Sequence, residues 1–221
     1  VQVWMKALRN NDNDTRVAFD HGIWGYNNIN PQGIFFNAAF HPDNPAELDY
    51  HRQVISEGLK VFNELFGYKA EYFVPPNGPV INRLFQAASE NGIKYLSASK
   101  FQIETLGNGV TKKHFHWTGQ KTPYGQYCIT RNCFFEPSAD NHDWVSSCLN
   151  EINTAFRWKK AAVISSHRVN YIGALHQENR EKGLKALKSL LREMVNRWPD
   201  IEFMTSKELG DLISAERSTI I

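Results

Sequence analysis

A chain of 221 residues, 42% hydrophobic and 22% charged, is long enough to bury one sizeable core and short for two full domains. Its formal charge of +2 comes from 25 Lys and Arg against 23 Asp and Glu, scattered rather than striped, which argues against a nucleic-acid partner. No apolar run approaches the roughly 20 residues of a membrane span, so a soluble α/β protein is expected.

Val1 to Arg9 carry no basic region followed by an apolar stretch and a cleavage site. No signal peptide is read there, and a cytoplasmic location is slightly favoured. Val3, Met5 and Leu8 form one stripe of a helix with no capping residue before it. The expectation is therefore that these residues belong to the carboxyl-terminal part of a longer polypeptide. Residues 1–44 otherwise read as irregular and rich in aromatics, with Asp20-His21-Gly22, Trp24 and Tyr26.

From Pro45 the pattern becomes regular. Leu48, His51, Ile55, Leu59, Phe62 and Phe66 recur at helical spacing, and Gly67 follows as a C-cap. Glu71 to Val74 reads as a strand stopped by Pro75-Pro76-Asn77-Gly78-Pro79, Val80 to Glu90 as a short helix, and Ile93 to Leu96 as a strand. Ser97 to Thr122 is the least regular stretch; His114 and His116 would share one face of it if it were extended. Gln126 to Phe135 is rich in β-forming residues, and Trp144 to Trp158 is a helix capped by Asp143. The apolar run Ala161 to Ile164 predicts a central buried strand. The same grammar then repeats: helix Arg180 to Trp198, strand Ile201 to Met204, and helix Ser206 to Ile213 with Ser206 as cap.

Alternating strands and helices imply mainly parallel strands in a sheet or barrel, with chemistry at the carboxyl ends of the strands. Those ends are Pro75-Pro76-Asn77, Ser97 to Lys100, Phe135-Glu136, Ser165-Ser166-His167-Arg168 and Thr205-Ser206. His167 is the leading candidate, because an imidazole after a buried strand can move protons near neutral pH; it could also simply hydrogen-bond a neighbouring strand end. Asp20-His21 is either a ligand pair or turn chemistry, and Asp143 either a reactive carboxylate or a helix cap. A serine-hydrolase elbow is absent, and so are the HExxH and Cys/His spacings of known metal sites. Cys128, Cys133 and Cys148 make no CxxC pair and read as small buried hydrophobes.

Three segments, in order, resemble motifs of the polysaccharide deacetylase (NodB-homology) superfamily, carbohydrate esterase family 4. Phe73-Val-Pro-Pro76-Asn-Gly78 is similar to the third motif, Asp140-x-x-Asp143-Trp144 to the fourth and Ile164-Ser-Ser-His167 to the fifth. The resemblance covers roughly Pro45 to Ile213 and implies a distorted or partial (β/α) barrel, with residues 1–221 forming a single catalytic domain. It also implies a metal-dependent hydrolase that removes acetyl groups from an acetylated sugar or polysaccharide, with a divalent metal, zinc above all. His167 would be the general acid, Asp143 a catalytic carboxylate, and Arg168 a substitute for the third-motif Arg that Pro75-Pro76-Asn77 lacks. The first two motifs, which supply the metal ligands, have no match in spacing; Asp20 and His21 are the only candidates near the start. Trp24, Tyr26, Trp117 and Trp144, with Asn77 and Asp140, would line the sugar site. Two other readings stand beside this one: a two-carboxylate glycosidase drawing on Asp20, Glu136, Asp140 and Asp143, and a non-catalytic descendant that binds a glycan or a protein. Oligomeric state is not legible.

Overall fold

The computed structural model describes residues 2–22, 40, 44–76, 80–107, 110–139, 141–174 and 176–219. It is mixed α/β, with seven α-helices and parallel strand pairs among the described residues. The chain divides into two compact units, one of residues 1–116 with 122–126, the other of 117–121 with 127–221. No barrel closes among the described residues.

The first unit opens with α1 (Gln2–Arg9) and α2 (Asn13–Asp20). The second of these was expected to be irregular. Asp12 starts it: the carboxylate accepts from Thr15 N at 3.0 Å and from Thr15 Oγ1 at 2.5 Å, satisfying a donor that the first helical turn leaves open. A 3-10 turn, Pro45–Glu47, leads into α3 (Leu48–Phe66), which ends as expected at Gly67 with φ of 74°. Strand β1 (Tyr72–Phe73), helix α4 (Arg83–Glu90) and strand β2 (Tyr95–Ala98) form a crossover unit, pairing in parallel with Tyr72 opposite Tyr95 and Phe73 opposite Leu96. Ile55, Val80, Leu84, Ala88, Ile93 and Leu96 make its core. A fully buried aliphatic side chain such as Leu84 stabilises the fold by about 1.5–3 kcal/mol relative to exposure.

The stretch that reads as irregular, Ser97 to Thr122, contains a hairpin of β3 (Phe101–Gly107) and β4 (Val110–Phe115). Its alternation is inverted, with Gln102, Glu104 and His116 buried and Phe101 and Phe115 exposed. The buried polar groups are satisfied, as their burial requires. His114 Nε2 donates to Glu104 at 2.7 Å, His116 Nε2 to Gln102 at 2.6 Å, and Gln102 Nε2 to Val80 O at 3.1 Å.

In the second unit, β5 (Tyr127–Thr130) precedes β6 (Cys133–Phe134), α5 (Trp144–Arg157) and β7 (Ile164–Ser165). Strands β6 and β7 pair in parallel, Cys133 opposite Ile164 and Phe134 opposite Ser165. A 3-10 turn, Arg168–Asn170, leads to α6 (Gln177–Arg197), and α7 (Ser206–Thr219) follows. Cys133, Phe135, Cys148, Leu149, Ile152, Leu190 and Met194 form the core beneath the strand pair. The three cysteines form no disulfide and are buried, as expected.

Two strand expectations need correction. The run Ala161 to Ile164 is not a central buried strand: only its last residue enters β7, and Ile164 is 37% exposed. Ile201 to Met204 has the right composition but pairs with nothing among the described residues; it borders an open apolar cavity of about 870 Å³ beside residues 161–164. The cap of the last helix is Thr205 rather than Ser206. Glu208 N donates to Thr205 Oγ1 at 3.2 Å and Thr205 N to Glu208 Oε2 at 2.6 Å, a reciprocal capping box.

Candidate functional site

The parallel pairing of β6 and β7 brings two chain segments together at the carboxyl ends of their strands, Phe135-Glu136 and Ser166-His167. Phe135 N donates to Ser165 O at 2.9 Å, which continues the ladder one residue and turns Glu136 toward His167. Glu136 Oε1 lies 2.6 Å from His167 Nδ1. The carboxylate can only accept, so Nδ1 carries the proton, and Nε2 is the nitrogen left for a substrate. The histidine side chain is 72% exposed and the glutamate 20%. The dyad is therefore open on one side and anchored on the other.

The anchor is the 3-10 turn after His167. Asn170 is fully buried; its Nδ2 donates to Glu136 Oε2 at 2.7 Å and to His167 O at 2.8 Å. Its Oδ1 accepts from Ser138 N at 3.0 Å and Ser138 Oγ at 2.7 Å. Beside it, Ser166 Oγ and Tyr171 OH are 2.7 Å apart, and Arg131 donates to the buried Ser165 Oγ at 3.2 Å. Glu136 stood among the strand ends and the glycosidase carboxylates without being paired with His167, and Asn170 was not singled out at all. The signal that pairs Glu136 with His167 is the β–α–β order itself, which makes successive strands neighbours.

The other expected residues fall as follows. Arg168 begins the 3-10 turn with an exposed side chain, and no described carboxylate pairs with it. Asp143 caps α5: its carboxylate accepts from Ser146 N at 3.0 Å, and hydrogen bonds from the Ser146 side chain and backbone hold its pKa below the usual carboxylate range. Trp144, the first residue of α5, meets His142 edge-on at 4.4 Å, donates its Nε1 to Ala139 O at 3.3 Å and packs half-buried against the core of this unit. Trp117 is 49% exposed. Trp24, Tyr26, Asn77 and Asp140 lie outside the described residues.

Asp20 and His21 end α2 in the first unit, both exposed, with the His21 backbone closing the helix. Among the described residues no three His, Cys, Asp or Glu side chains converge as a metal site would require. No family model matches the chain, and comparisons with curated proteins and with solved structures return no significant match.

Proposed function

We propose that this protein is a carbohydrate-active hydrolase whose leading reaction is removal of an acetyl group from an acetylated sugar or polysaccharide, with His167 as the proton-transfer residue. The observation that carries this reading is the 2.6 Å contact between Glu136 and His167 Nδ1 on a side chain otherwise open to solution. In the imidazolium form Nε2–H gives a proton to a departing amine nitrogen; in the neutral form Nε2 takes one up. Glu136 fixes the tautomer and ring plane, the role an orienting carboxylate has in hydrolytic triads. The motif order in the sequence supports acetylated sugars as substrate, and the hydroxyls of Ser166 and Tyr171 beside the dyad offer groups complementary to sugar hydroxyls.

The test uses the full chain equilibrated with zinc, or with chelator as control, and N-acetylated amino-sugar oligomers. Acetate release that disappears in His167→Ala is the expected result. New reducing ends without acetate would instead indicate the glycosidase reading. Saccharide binding that leaves the ligand unchanged and survives His167→Ala would indicate a binding protein.

A further inference from the structure

We infer that Asn170 is the positioning residue of this site, holding Glu136 so that His167 keeps its proton on Nδ1 and offers Nε2 to substrate. The inference rests on the proposed function for its catalytic meaning, but its structural basis is independent of any substrate.

A carboxylate can rotate about its last torsion, and a 2.6 Å contact to an exposed imidazole does not by itself stop it. Glu136 is held at its second oxygen. Oε2 accepts from Asn170 Nδ2 at 2.7 Å and, more weakly, from His167 N at 3.3 Å. Asn170 cannot turn either. Ser138 N is a backbone donor and therefore identifies the atom facing it as the amide oxygen, which leaves Nδ2 for the acceptors Glu136 Oε2 and His167 O, with Ser166 Oγ farther off at 3.3 Å. The amide is fully buried and bonded on both sides, so flipping it would set donor against donor and oxygen against oxygen. Only a carboxamide supplies this set: an Asp would place a second carboxylate against Glu136, and an aliphatic residue would leave Ser138, Glu136 and the His167 carbonyl short of partners.

The fold makes unusual room for this turn. A Cβ at Gly183 of α6 would come within 1.8 Å of the Asn170 carbonyl oxygen, so the helix approaches the turn at a distance only glycine permits. Strand-end loop, turn and helix are thereby locked around one amide. With that lock absent, Glu136 loses its fixed direction and the imidazole reverts to the Nε2–H form that free histidine prefers, closing the nitrogen that must accept a proton.

The test is the 15N spectrum of ring-labelled histidine in the full chain, read at a pH where His167 is neutral, for wild type, Asn170→Ala and Ser138→Ala. The His167 signals, assigned by their loss in His167→Ala, are expected to show Nδ1–H in wild type, mostly Nε2–H in Asn170→Ala, and a mixture in Ser138→Ala, which removes only the 2.7 Å hydroxyl contact. A wild-type ring already in the Nε2–H form, or an unchanged tautomer in a folded Asn170→Ala, overturns the inference. If Asn170→Ala does not fold, an unchanged tautomer in Ser138→Ala overturns it and a shifted one supports it. Acetate release reports separately: kcat should fall by about a hundredfold in Asn170→Ala with KM little changed. A tautomer shift in a protein without deacetylase activity would uphold the role of Asn170 and overturn the deacetylase reading alone.

Discussion

Gly183→Ala sets two effects of opposite sign against each other. In the middle of α6, replacing glycine by alanine favours the helix by about 1 kcal/mol, because the unfolded chain loses freedom and the helix does not. The new methyl, however, would stand 1.8 Å from the Asn170 carbonyl oxygen and 2.9 Å from its carbon. An ordinary carbon–oxygen contact is roughly 3.3 Å, so helix and turn must separate by about 1.5 Å. The obstacle is backbone rather than a flexible side-chain tip, and overpacking of that kind costs about 1–3 kcal/mol, with this case at the upper end. The net expectation is destabilisation by about 2 kcal/mol, seen as a fall in melting temperature of roughly 4–8 °C in a chain of this size. Thermal and urea unfolding followed by circular dichroism measure it. A Gly183→Ala protein as stable as wild type, or more stable, would refute the close approach of α6 to the turn.

Other expectations follow from the cores and caps. Burial pushes the thiols of Cys128 and Cys148 up to about 11 and that of Cys133 to about 12, so an aromatic disulfide reagent at pH 8 should label none of the three in the native protein and all of them in denaturant. His51 is buried against Phe40 with its Nδ1 unpartnered among the described residues, and burial lowers its pKa, opposed by Glu47. Because the unfolded chain then binds a proton more readily than the folded one, the His51 contribution is present above about pH 6.5 and is lost as pH falls below it. His51→Leu should flatten that acid limb of the stability curve; an unchanged limb would count against it. Leu84→Ala, at a fully buried position of the first unit, should cost about 2–5 kcal/mol in urea unfolding, whereas Phe203→Ala, on an exposed ring, should cost far less.

Elements with an apolar stripe and a local stop were legible in the sequence. Helix α3 announces itself by Leu48, His51, Ile55 and Leu59 and by the left-handed Gly67, and α5 by the capping carboxylate of Asp143. The hairpin β3–β4 was not, because its buried face is made of Gln, Glu and His and its exposed face of Phe, the reverse of the pattern that marks a half-buried strand. In the sequence, the Asn108-Gly109 dipeptide is a signal that favours a hairpin. The strand expectations at residues 161–164 and 201–204 rested on a short apolar run and on the repeating order of elements, and neither says whether a partner lies alongside. The site was half legible. His167 stands out at a strand end, but Glu136 and Asn170 meet across 34 positions of chain, and only the pairing of β6 with β7 brings them together.

The central claim is that Glu136 acts through His167 rather than beside it. A double-mutant cycle on acetate release, with Glu136→Gln, His167→Ala and the two combined, tests this most directly. Each single substitution should slow turnover, and the double variant should be no slower than His167→Ala alone. Losses that multiply in the double variant, or a Glu136→Gln protein with wild-type turnover, would contradict it.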